Sequence, residues 1–108
     1  MDIDPNNAVD FLLQNAPKYA KAKAERVYLE EFRKSKKAML FREAPEKTIA
    51  EREHWAYCHS DYMKLLDGIR DAVEIEETLR WQMVAAQARI EIWRSQEASN
   101  RTVERAFK

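Results

Sequence analysis

Glycine, proline and cysteine are scarce in this sequence, which has one Gly, three Pro and one Cys in 108 residues. Because few residues can form turns or break helices, and Ala, Glu, Lys, Arg and Gln are abundant, the composition predicts helix. The single cysteine, Cys58, excludes a disulfide within the chain and favours a reducing compartment. The single glycine, Gly68, excludes a glycine-rich phosphate-binding loop.

Long apolar runs and an excess of one charge are also lacking. No apolar run approaches the roughly 20 residues of a membrane span, and the amino terminus Met1-Asp2-Ile3-Asp4 is acidic where a signal peptide is basic. Nineteen basic residues balance nineteen acidic ones, so no net field attracts nucleic acid or anionic lipid. We therefore expect a cytoplasmic protein that has no membrane partner.

Prolines and capping residues divide the chain into four predicted helices. Pro17 is acceptable in the first turn of a helix but disfavours helical geometry just before it, so one helix should end near residue 15 and another begin at residue 17. Thr48, with Glu51 three residues later, forms a capping-box signal, and Ser60 is a second N-cap candidate. The predicted helices are residues 5–15, 17–43, 49–58 and 61–105, within one domain of residues 1–108.

The last predicted helix carries a coiled-coil pattern. One seven-residue series is Tyr62, Ile69, Glu76, Met83, Ile90 and Glu97, and its companion is Leu65, Ala72, Leu79, Ala86, Trp93 and Asn100. Such a helix would be ~68 Å long, whereas a compact domain of this size has a radius of gyration of about 13 Å. We predict an all-α fold: an elongated antiparallel helical hairpin with one very long C-terminal helix and coiled-coil-like packing.

A second apolar line on this helix widens its apolar stripe. The line consists of Trp81, Val84, Ala85, Ala88 and Ile92. One short chain offers few neighbours to cover two lines, so we predict a homo-oligomer, with a dimer favoured. The predicted interface lies in the alanine-rich middle of the helix and comprises Leu79, Met83, Ala86, Ile90 and Trp93.

The middle third of the chain is locally basic, with ten Lys and Arg against five Glu between residues 16 and 48. A stripe of five of these residues could follow a phosphate backbone. Alternatively, an antiparallel hairpin would bring the stripe near Asp67, Asp71, Glu74 and Glu77, which would neutralise it within the chain. The candidate nucleic-acid or partner contacts are Lys23, Arg26, Arg33, Lys34 and Lys37, together with Arg94 and Arg105 near the carboxyl end.

Few residues suggest catalysis or metal binding. His54 and Cys58 share a helix face and His59 is adjacent, but structural zinc requires four ligands. The Glu51-x-x-His54 spacing of di-iron bundles occurs once, where such sites need it twice. We predict no catalytic residue, cofactor, metal or small-molecule substrate, and we keep a metal protein or enzyme built on these residues as an alternative.

Gly68 lies inside the last predicted helix, where glycine is less favourable than alanine by roughly 1 kcal/mol. Close approach of a neighbouring helix would explain why glycine occupies this position. A hinge in the helix at Gly68 is the alternative explanation.

Two segments resemble small helical proteins of tailed bacteriophages and prophages, which are often encoded near genes for single-strand annealing and replication. The segments are Tyr19-Ala-Lys-Ala-Lys-Ala-Glu-Arg-Val-Tyr28 and residues 85–100, AAQARIEIWRSQEASN. The resemblance covers residues 19–105, implies a location in the host cytoplasm and an accessory role in DNA metabolism, and assigns no residue a role. We predict a non-enzymatic helical adaptor that contacts a DNA-processing protein or DNA. A purely structural helical oligomer is the alternative.

Overall fold

The computed structural model describes residues 3–107, which form three α-helices and no strand. They are α1 (Pro5–Glu43), α2 (Ile49–Cys58) and α3 (Ser60–Ala106). The predicted all-α class, with a long helix at the carboxyl end, is therefore confirmed. None of the helices between residues 3 and 107 has the long apolar stretch that crossing a membrane requires.

The break predicted at residues 15–17 is wrong, because α1 runs through Pro17 without interruption. Proline removes one backbone hydrogen bond and crowds the carbonyl four residues earlier, at a cost of about 3 kcal/mol in a helix interior. Residues on both sides of Pro17, including Leu12 and Tyr19, are partly buried. Packing of this apolar face holds the helix together, which is the usual source of helix stability in proteins.

The capping predictions for α2 and α3 have different outcomes. Thr48 is the N-cap of α2, and its Oγ1 accepts a hydrogen bond from the Glu51 backbone N–H at 3.2 Å. The prediction of Ser60 as the next cap is wrong, since Ser60 is already the first residue of α3. His59 caps α3 instead, because its Nδ1 accepts from the Asp61 backbone N–H at 3.0 Å.

Helix α3 is continuous through Gly68. A Cβ built on this glycine would meet no heavy atom within 4 Å beyond its own helical neighbourhood. The prediction that another helix approaches closely at Gly68 is therefore wrong. The φ angle of Gly68 is not positive either, so the backbone does not require glycine.

Contacts divide the chain into two compact units, and α1 and α3 each contribute to both. The first unit combines residues 1–19 with residues 77–108, and the second is residues 20–76. In the second unit, Leu40, Ala56 and Tyr62 form a buried cluster that joins the three helices. Arg26 contacts Glu76 and Lys36 contacts Asp61 there, so the α1 and α3 segments of this unit run antiparallel, as the hairpin prediction requires.

Candidate functional site

Arg26, one of the predicted contact residues, is engaged inside the second unit. Its Nε and Nη2 donate to the two carboxylate oxygens of Glu76, the latter at 3.1 Å, and its Nη1 donates to Glu30 at 2.9 Å. Glu76 is only 5% exposed. The hydrogen bond to Glu76 is the main cause that raises the pKa of Arg26 above its ordinary value. A guanidinium held by two carboxylates is not available to a phosphate.

Lys37 and Lys34 also have partners within the chain. The Lys37 Nζ lies 4.5 Å from the ring centre of Tyr57 and 3.8 Å from a Glu53 oxygen. A hydrogen bond to the Tyr57 side chain is the main cause that raises the pKa of Lys37. Lys34 pairs with Glu31 at 3.3 Å, but both side chains are exposed, and such surface pairs are weak.

Lys23 and Arg33 are the two stripe residues that remain unpaired. Both are exposed, and no acidic side chain between residues 3 and 107 lies within 4 Å of either. Near the carboxyl end, Arg94 pairs with Glu91 at 3.1 Å, while Arg105 has no such partner in the described part of the chain. The stripe is therefore partly neutralised within the chain.

Two of the acidic residues predicted to neutralise the stripe, Asp67 and Asp71, contact an arginine of their own helix instead. Asp67 and Asp71 both lie beside Arg70 of their own helix, at 3.7 and 3.8 Å. From α3, Glu76 pairs with Arg26 and Asp61 pairs with Lys36. From α2, Glu53 pairs with Lys37. The antiparallel register decides this choice, and charge counting along the sequence cannot supply it. The sequence did hold a signal for Glu76, because this glutamate lies between the apolar residues Ile69 and Met83 of its heptad series.

The predicted oligomer interface lies in the first unit and faces inwards to a large extent. Ala86 is 6% exposed, and Leu79, Met83, Ile90 and Trp93 are partly buried. Ala86 lines a groove of about 700 Å³ together with Ala8 and Phe11 of α1. The chain's own α1 therefore covers at least part of this seam.

The second apolar line of α3 is exposed. Trp81 is 59% accessible, Ile92 48% and Val84 38%, and Ala85 and Ala88 are exposed as well. At 100° per residue these five residues lie on the side of α3 opposite to the Leu79–Trp93 seam. The prediction that they widen the apolar stripe is therefore wrong, because they form a separate face. We call them the outer face of α3. The only ring contact recorded for Trp81 in the described residues is the Arg80 guanidinium, 4.5 Å from its centre.

His54, Cys58 and His59 lie along a shallow groove of about 570 Å³ in the second unit. His54 Nε2 is 3.7 Å from Cys58 Sγ. His59 packs against the Trp55 ring, with centres 5.0 Å apart, and its Nδ1 is occupied by the cap of α3. Between residues 3 and 107 no three His, Cys, Asp or Glu side chains are placed to share a metal ion.

Comparison with protein-family models, with curated proteins and with solved structures finds no match to this chain.

Proposed function

We propose that the chain is a non-enzymatic helical adaptor that acts through protein–protein contacts made by helix faces. The setting is the one that the phage-protein resemblance implies, accessory work in DNA recombination or replication. The observation that carries the proposal is the outer face of α3, where an exposed tryptophan and two exposed branched side chains lie in one line. Tryptophan is enriched at protein interfaces and is a frequent centre of binding energy.

The small core of the isolated chain supports the same proposal. Seven apolar side chains are buried among the described residues, and five of these are alanines: Ala8, Ala44, Ala56, Ala72 and Ala86. The chain exposes 8392 Å², whereas a folded monomer of its 12.8 kDa typically exposes about 6,300 Å². A partner that covers exposed apolar side chains such as Trp81 and Ile92 would stabilise the chain.

Nucleic-acid contact is the second candidate, and Lys23 and Arg33 favour it. They are ten residues apart on α1, about 15 Å along the helix, and neither has an acidic partner within the described chain. Two free cations give a weak, salt-sensitive attraction for phosphates. Protein contact therefore ranks first and nucleic-acid contact second.

Site-specific photo-cross-linking tests the adaptor proposal. A benzophenone amino acid at Val84, on the outer face, should yield one discrete cross-linked species in cells that express the chain. The matched control is the same probe at Ala24, an exposed residue of α1 in the second unit. Adding Trp81→Glu should abolish the Val84 product. Equal yields at the two positions would contradict the proposal.

A further inference from the structure

A single residue, His59, forms the joint between α2 and α3 in the second unit. Its backbone N–H donates to the Ala56 carbonyl at 3.3 Å and closes α2, and its own carbonyl accepts from the Met63 N–H at 3.1 Å at the start of α3. The φ and ψ angles of His59, −66° and 139°, are extended rather than helical. A change at this residue therefore reaches both helices.

The side chain of His59 completes the start of α3. Its Nδ1 accepts from the backbone N–H of Asp61, the second residue of the helix, at 3.0 Å. The first N–H groups of a helix have no partner within the helix, and a side-chain acceptor just before it satisfies one of them. Ser, Thr, Asp and Asn are the usual caps. Unlike these residues, a histidine cap has an acceptor atom that can take up a proton near neutral pH.

The cap requires one particular form of the imidazole ring. A ring nitrogen that accepts a hydrogen bond carries no proton, so Nδ1 of His59 is unprotonated and the proton of the neutral ring is on Nε2. In the imidazolium form both ring nitrogens are donors and neither can accept. The hydrogen bond from the Asp61 backbone is therefore open only to the neutral ring.

We infer that the joint between α2 and α3 is proton-sensitive: His59 caps α3 only while it is neutral, and on protonation its Nδ1–H turns from the Asp61 backbone to the Asp61 carboxylate. Oδ2 of that carboxylate already lies 3.9 Å from Nδ1, so the ring has to move little. The Asp61 N–H then loses its side-chain partner. Histidine changes charge between about pH 5 and 8, so the exchange falls in the physiological range. The inference is independent of the adaptor proposal.

The charged groups around His59 single out Asp61 as the acceptor. Among the described residues, Asp61 supplies the only carboxylate within 4 Å of a His59 nitrogen. The same Oδ2 lies 3.8 Å from Nζ of Lys36 on α1, so the imidazolium and the ammonium would share one oxygen. On the α2 side the ring packs against the uncharged Trp55. The other titratable residues along this groove are Glu46, Glu51, His54 and Cys58.

Heteronuclear NMR of the full chain tests the tautomer and the exchange of partners. At about pH 8, ring-nitrogen spectra should show His59 with an unprotonated Nδ1 and a protonated Nε2. On titration to about pH 5, the Asp61 amide resonance should shift with the same midpoint as the His59 ring. Its protection against solvent exchange, corrected for the intrinsic effect of pH, should fall about fivefold, the effect of losing a typical side-chain cap.

Two variants separate His59 from the rest of the chain, which contains two histidines. His59→Asn keeps a capping oxygen that does not titrate, so the Asp61 amide should stay protected and its resonance constant from about pH 8 to about pH 5. His54→Gln removes the other histidine and should leave the titration of the Asp61 amide as in the wild type. Circular dichroism at both pH values checks that the variants retain their helices.

The wild type alone can overturn the inference. A proton on Nδ1 of His59 at about pH 8 would do so, because that tautomer cannot accept from Asp61. An Asp61 amide that does not titrate with His59 would do so as well. Persistence of the titration in His59→Asn, or its loss in His54→Gln, would assign it to another group and equally overturn the inference.

Discussion

Arg26 of α1 and Glu76 of α3 form a two-point ion pair fifty residues apart in sequence, with the glutamate almost fully buried. Glu76 occupies a position of the heptad series whose neighbours are apolar. In the observed register its carboxylate meets a guanidinium, whereas a shift of one helical turn would put Ala22 or Glu30 in the place of Arg26. Polar residues at such positions are known to specify register.

Removing one member of this pair should destabilise the chain, and removing both should not. Arg26→Met leaves the Glu76 carboxylate buried without a partner, so the thermal midpoint should fall by several degrees. In the double variant Arg26→Met with Glu76→Leu, the midpoint should return to the wild-type value or exceed it. Thermal unfolding followed by circular dichroism measures both. An unchanged midpoint for Arg26→Met alone would show that the pair does not contribute.

Lys37 should make stability depend on pH in the alkaline range. Its pKa is raised above the ordinary 10.5, mainly by the hydrogen bond to Tyr57. A raised pKa in the folded state means that the stabilisation is fully present below the unfolded-state pKa and is lost as pH rises through the folded-state pKa. The midpoint difference between wild type and Lys37→Met should therefore be constant at neutral pH and shrink above pH 10.5. A difference that does not vary with pH would contradict this assignment.

Gly68→Ala should stabilise α3. Its backbone is helical and the space around a new Cβ is open, so alanine adds helix propensity without a clash. The expected gain is about 0.5–1 kcal/mol in the free energy of unfolding. Urea denaturation measures it, and Ala98→Gly, at an exposed position of the same helix, should lose a similar amount. A loss of stability in Gly68→Ala would indicate that glycine has a role there, and the hinge prediction would gain support.

Lys23 and Arg33 provide the test of nucleic-acid binding. If the chain binds DNA through α1, a gel shift at low salt should disappear in Lys23→Glu with Arg33→Glu and remain in Lys64→Glu, an exposed control on α3. Arg26 is a poor choice for this test, because its substitution disrupts the pair with Glu76. Absence of a shift for the wild type at low salt would eliminate the DNA candidate and leave protein contact alone.

Much of the local structure follows from the sequence. The start of α2 at its Thr48 cap and the presence of a long C-terminal helix could be predicted, because capping and propensity act over a few residues. Pro17 shows the limit of such reasoning. A local penalty of a few kcal/mol is overcome by tertiary packing, which no residue near Pro17 reveals.

Sequence and tertiary structure differ most in what they say about which apolar line of α3 is covered by the chain itself. The sequence by itself determined that α3 carries two apolar lines, since side-chain periodicity depends only on helix geometry. It could not determine which line its own α1 would cover, because an apolar seam has the same pattern whether its partner is the same chain or another. Packing within the first unit, where Ala8 and Phe11 of α1 lie beside Ala86, decided that the Leu79–Trp93 seam faces inwards and that the outer face of α3 is left exposed.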